Sequence, residues 1–142
     1  MSIAPVFSIP TRVYWEDTDA GGVVYHAQYV AFLERARTEW LRAQGHGQEL
    51  LRQSHDLVFA VRAMQLDFLR PARLDDLLDI GVRVVRCKRA SVTFAQTIAR
   101  GGEALLGAEV RVAVLKASTF TPVALPDALY QEFKALEPSP TE

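Results

Sequence analysis

The chain has 142 residues, 49% of them hydrophobic and 23% charged, with sixteen Lys and Arg against seventeen Asp and Glu for a formal charge of −1. That balance suits one globular domain over residues 1–142, and with no basic block it offers nothing to cover a nucleic-acid backbone. One cysteine, Cys87, and three histidines exclude an internal disulfide and leave almost no material for a Cys/His metal cluster, so a metal-free site is expected.

Met1 to Pro10 lacks the basic start and apolar run of a signal peptide, and no apolar stretch reaches membrane-spanning length; the expectation is a cytoplasmic protein with no transmembrane segment. From Ile9 to Glu16 the alternation places Val13 and Trp15 on one face of a short strand and Tyr14 and Glu16 on the other. The acidic loop Asp17 to Gly22 ends it, with Glu16 and Asp17 read as solvated or capping carboxylates. Beyond His26, the residues Tyr29, Leu33, Ala36, Trp40 and Ala43 recur at helical spacing, widened by Val30, Phe32 and Leu41. Gly45 and Gly47 stop this helix, and a short helical piece follows at Gln48 to Gln53.

Leu57 to Leu69 carries apolar residues on both faces, as a strand covered on both sides would, and Pro71 breaks it. Three half-buried strands then alternate around Leu78–Val84, Val92–Ile98 and Val110–Val114. Arg100-Gly101-Gly102-Glu103 has the composition of a tight hairpin turn, because glycine reaches the positive φ angles such turns need. Asp127 to Leu136 reads as a closing helix with Pro126 near its first turn, and 137–142 as a frayed tail. One long striped helix with successive antiparallel strands is an α+β plan in which the sheet wraps the helix.

The chemistry concentrates between residues 14 and 29. A carboxylate, Asp19, precedes a Gly-Gly turn and then a helix N-terminus, whose first amides lack intrahelical acceptors and carry the positive end of the macrodipole. One group can direct water at a carbonyl while the other holds the charge that develops on its oxygen, an arrangement suited to acyl transfer. A domain this small binds a long ligand more easily between subunits than inside one, so a homo-oligomer is expected.

Arg12-Val13, the run Thr18-Asp19-Ala20-Gly21-Gly22-Val23-Val24-Tyr25-His26, then Tyr29 and Glu34-Arg35-Ala36-Arg37 resemble the signature of the hotdog-fold thioesterases. The resemblance narrows to the 4-hydroxybenzoyl-CoA thioesterase family and its YbgC type, associated with the bacterial Tol-Pal system, and extends to Pro71-Ala72-Arg73-Leu74-Asp75-Asp76 and Ala124-Leu125-Pro126. It implies a hotdog fold, a long central helix wrapped by a curved antiparallel sheet of about five strands, with subunits paired edge to edge as a homodimer or homotetramer. It also implies hydrolysis of acyl-CoA, or of an acyl group on a carrier protein, with Asp19 as general base or nucleophile and His26 at the helix N-terminus polarising the carbonyl. Trp15, Gly22, Val24 and Tyr25 are the expected substrate neighbours. Trp15 stands where the YbgC type usually has a tyrosine, and an indole has no ionisable hydroxyl.

No cofactor is expected beyond coenzyme A as part of the substrate. Lys88 and Arg89, with Arg86 and Ser91 beside them, form a basic cluster that is either a solvated turn or a contact for the coenzyme A phosphates. Glu34, opposite the apolar stripe, reads as a surface or interface ion-pair partner. The rival reading is a binding or scaffolding module that recognises acyl-CoA or acyl-carrier protein without turnover.

Overall fold

The computed structural model describes residues 7–139. In chain order it holds β1 (Phe7–Arg12), a 3-10 turn (Trp15–Asp17), α1 (His26–Ala43), α2 (Gln48–His55), β2 (Leu57–Phe68), β3 (Leu77–Cys87), β4 (Ser91–Arg100), β5 (Glu103–Lys116) and α3 (Asp127–Lys134). The strands form one antiparallel sheet in the order β1-β3-β4-β5-β2. Register shifts at Val61/Ala63, Val84/Arg86 and Ile98/Ala99 each place an irregularity in a strand, and such bulges bend a sheet and increase its twist. The sheet curves around α1 without closing, which is the α+β hotdog architecture.

The period-two rows of β3, β4 and β5 point Leu78, Ile80, Val82, Val92, Phe94, Val110 and Val112 inward, where they meet Phe32, Leu33, Ala36 and Trp40 of α1. Burying one such side chain stabilises the fold by about 1.5–3 kcal/mol, whereas an exposed helical ion pair such as Arg42 with Glu39 is screened by solvent and contributes little. Packing of the stripe therefore holds α1 in place. Trp40 contacts Phe94 and, with ring centroids 5.2 Å apart, Phe133 of α3, which closes the far end of the core. Ala43 and Val30, counted in the stripe from spacing, lie at the exposed margin of the helix.

Several sequence expectations change in three dimensions. The first strand stops at Arg12, and the chain coils through the 3-10 turn, so Val13 is fully buried while Trp15 is 82% exposed. Strand alternation cannot continue through a turn that brings the amide of Asp17 to the carbonyl of Tyr14. Asp17 caps as expected but is buried, accepting the Tyr14 N–H on Oδ2 at 2.8 Å. β2 is an edge strand, with Val61, Phe68 and Leu69 exposed, so the described residues do not cover its apolar side chains on both sides. The tail is anchored at its start: Glu137 accepts the Cys87 N–H at 2.6 Å and an ion pair from Lys134 at 3.1 Å. Residues 140–142 lie outside the described residues. The Gly101-Gly102 turn has φ of 56° and 84°, the doubly positive pair of a two-residue hairpin joining Arg100 to Glu103.

Candidate active site

The loop between the 3-10 turn and α1 is folded on itself. Thr18 bridges Val24, the Asp19 N–H donates to the Val23 carbonyl at 2.8 Å, and the Gly22 N–H donates to the Asp19 carbonyl at 3.0 Å. Asp19 Oδ1 accepts the Gly21 N–H at 2.8 Å, the side-chain turn that aspartate favours. A Cβ at residue 21 would stand only 3.1 Å from that oxygen, so glycine there lets the carboxylate fold back over the turn. The turn alone would suit an aspartate. It engages one carboxylate oxygen, however, and among the described residues Oδ2 has no protein partner.

The same loop delivers the start of α1. Tyr25, with φ −62° and ψ 132°, is the last extended residue, and no side chain among the described residues caps the helix. The Gln28 N–H turns back to the Tyr25 carbonyl at 2.8 Å, which leaves the amides of His26 and Ala27 as the unspent donors of the first turn. The His26 ring lies against Tyr25, with centroids 4.6 Å apart.

Asp19, Val24 and His26 line one open cleft of about 320 Å³, whose opposite wall is Phe68, Leu69, Arg70 and Pro71, with Tyr29 at its floor. The walls are stitched together by backbone and side-chain bonds. The Val24 N–H donates to the Ala72 carbonyl at 2.8 Å, Val23 bridges Arg73, and the Tyr29 hydroxyl accepts the Ala72 N–H at 3.0 Å. The structure thus brings the motif's carboxylate to the uncapped helix start. Gly22 sits at the turn with φ 81°, and Tyr25 borders His26. Trp15 does not line the cleft and points outward. Spacing did not single out the wall 68–71 as part of the site; the nearby Pro71–Asp76 segment, quoted for its resemblance, was the available signal.

The far wall is braced by Asp76. It accepts the Arg73 N–H at 2.8 Å and the Arg100 guanidinium at 2.6 Å, while Arg100 also reaches Glu103. Partial burial by itself raises the Asp76 carboxyl pKa, but the Arg73 amide and the charges of Arg100 and Arg73 outweigh it and hold the group below the usual carboxylate range. Because the folded value is depressed, the stabilisation is complete above the ordinary value near 3.8 and is lost as pH falls through the folded value. Asp76→Asn is expected to lose about 1–2 kcal/mol of stability at neutral pH. Thermal melts across acid pH should show the two proteins converging in strong acid; parallel curves would remove Asp76 from the linkage.

The basic cluster is divided. Lys88 and Ser91 close a turn through the Lys88 N–H at 2.8 Å from the Ser91 carbonyl, and they line a polar groove of about 420 Å³ with Arg86, Thr93, Glu109 and Arg111. Arg89 turns away to Asp127 at 2.8 Å and stacks over the Tyr130 ring at 4.0 Å. Arg111 and Thr93 alternate with Val110, Val112, Val92 and Phe94, so the groove lies on the sheet face away from α1. It does not open into the Asp19 cleft of the same chain. Glu34 is exposed and makes no ion pair among the described residues. No helix among them is long and apolar enough to cross a bilayer.

Residues 21–106 match the family model described as the thioesterase superfamily. The chain is 44% identical to an acyl-CoA thioesterase YbgC of Haemophilus influenzae, over 92% of this chain and 96% of that protein. It is 46% identical to an acyl-CoA thioester hydrolase YbgC of Escherichia coli, over 91% of this chain and 96% of that one. The crystal structure of a probable thioesterase from Bartonella henselae superposes with a TM-score of 0.82 at 39% identity, covering 86% of this chain and all of that chain.

Proposed function

This chain belongs to the thioesterase superfamily, and on that premise we propose that it hydrolyses acyl-CoA to the free acid and coenzyme A at the cleft shared by Asp19 and the start of α1. The observation that carries the proposal is the placement of a carboxylate with one unengaged oxygen in the same cleft as a helix start whose amides are uncapped. The names of the Haemophilus influenzae and Escherichia coli relatives support the substrate class.

In the general-base route, Asp19 Oδ2 removes a proton from water as the water oxygen bonds to the thioester carbon. The carbonyl electron pair moves onto oxygen, where the His26 and Ala27 amides receive it. Collapse of the tetrahedral intermediate breaks the carbon–sulfur bond, and the proton returned from Asp19 goes to the departing sulfur. A thiol with a pKa of about 8.5 is a competent leaving group, so no Ser-His-Asp arrangement is needed. In the nucleophilic route, Asp19 itself attacks and water then opens the mixed anhydride. Single turnover in water labelled with heavy oxygen separates the two, since only the anhydride route can leave label on Asp19.

The proposal includes a homo-oligomer paired through β2. That strand ends the sheet, its outer edge is unpaired among the described residues, and Val61, Phe68 and Leu69 are exposed beside it, features that edge pairing would cover. Thiol release measured over a panel of acyl-CoA chain lengths, with matching acyl-carrier-protein thioesters and a parallel binding titration, tests the activity. Turnover of at least one acyl-CoA is expected. Binding without thiol release on every thioester would overturn hydrolysis in favour of a binding or scaffolding module.

A further inference from the structure

Among the described residues that line the Asp19 cleft, Arg70 is the one permanent cation. A guanidinium does not lose its proton, and its planar fork matches a carboxylate. Asp19 Oδ1 is engaged by the Gly21 N–H, and Oδ2 faces no protein group among the described residues. Opposite charges on two walls of a cleft of about 320 Å³ draw together unless something holds them apart. A pair between them would cover the oxygen that takes the proton from water. It would also favour the ionised carboxylate and so weaken Asp19 as a base.

The structure turns Arg70 elsewhere. Its Nε pairs with Glu103 Oε2 at 3.1 Å. Glu103 opens β5 directly after the Gly101-Gly102 turn, and its other oxygen, Oε1, takes Arg100 Nη2 at 3.0 Å. Arg100 is itself anchored, through Nη1, to Asp76 Oδ2 at 2.6 Å and to the Pro71 carbonyl at 3.4 Å. The backbone of the wall is fixed as well, because the Leu69 and Arg70 N–H groups both donate to the Leu105 carbonyl, at 2.9 and 3.1 Å. What remains to be directed at this point is the Arg70 side chain. An isolated exposed pair orders little, but here Arg100 sets the Glu103 carboxylate in place before Arg70 meets it, so less side-chain freedom is lost in the contact.

We propose that Glu103 is a positioning residue for the hydrolysis: it holds the Arg70 guanidinium away from Asp19 and keeps Oδ2 open to water. The proposal rests on Asp19 as the reacting group. Without Glu103, the carboxylate left to Arg70 inside the cleft is that of Asp19, while Arg100 keeps its contacts to Asp76 and Pro71.

A double-mutant cycle on the full chain, read as kcat for an acyl-CoA that the parent turns over, tests this. Glu103→Ala is expected to lower kcat by about three- to thirtyfold, the Brønsted response of a carboxylate base to an adjacent guanidinium. Because Glu103 is an exposed hairpin residue, the melting temperature should stay near that of the parent. In an Arg70→Met background the same substitution should change kcat by less than about twofold, since the competing cation is gone. Raising the ionic strength to about 1 M, where the Debye length is about 3 Å, should shrink the Glu103→Ala loss. A loss that is equal in both backgrounds, or unmoved by salt, would make Glu103 a plain support of the wall and overturn the proposal, as would no loss at all. Asp19→Asn run alongside keeps the two readings apart. Undiminished turnover there rejects the Asp19 chemistry and this proposal with it, whereas an inactive Asp19→Asn beside a fully active Glu103→Ala rejects the role of Glu103 alone.

Discussion

Asp19→Asn is expected to lower kcat for acyl-CoA hydrolysis by about a hundredfold or more, the loss that accompanies removal of a principal general base or nucleophile. Asparagine is close to isosteric, and its side-chain oxygen can still accept the Gly21 N–H that organises the turn. The backbone bonds that hold the loop, from the Asp19 N–H to Val23 and from the Gly22 N–H to the Asp19 carbonyl, do not involve the carboxylate. The melting temperature should accordingly stay near that of the parent. What the variant lacks is a basic second oxygen. Steady-state thiol release with an acyl-CoA that the parent turns over reads this directly, and undiminished turnover would reject Asp19 as the reacting group.

A second large effect separates the His26 backbone from its side chain. His26→Pro removes the amide donor at the first helical position, and removal of one oxyanion donor costs about 10²–10³ in kcat. Proline is tolerated there because that N–H has no intrahelical acceptor and proline's φ already suits a helix. Tyr25, at φ −62° and ψ 132°, occupies the extended region that a residue before proline prefers. His26→Ala keeps the amide and deletes the imidazole. If the amide is the principal donor, the proline variant should lose far more kcat than the alanine variant, with both folded by circular dichroism. Equal losses would move the role to the imidazole, and a proline variant with full activity would remove the helix start from the proposed mechanism.

Sequence periodicity located α1, the β3, β4 and β5 rows and the Gly-Gly hairpin because each is local: a repeat of 3.6 or two, or a pair of positive φ angles, shows in neighbouring residues. It failed where a local rule met a non-local one. Trp15 fits strand alternation after Val13, but the chain turns at Tyr14 and the indole emerges in solvent. β2 has the apolar content of an inner strand, yet it ends the sheet, and no repeat in its own residues records its position there. Gln96 interrupts an otherwise apolar inward row, and its role appears only once Arg37 and Leu33, far away in sequence, stand beside it.

The same division holds at the candidate site. By itself the sequence determined that a carboxylate, a glycine turn and a helix start follow one another within a few residues, since their order along the chain is their proximity. Only the tertiary structure decided that Phe68 to Pro71 forms the facing wall, that Lys88 and Ser91 lie on the other face of the sheet, and that Arg37 turns inward. Those placements depend on how the sheet curves and which strand ends it. Curvature and strand order come from burial of the whole core at once, so no single segment encodes them.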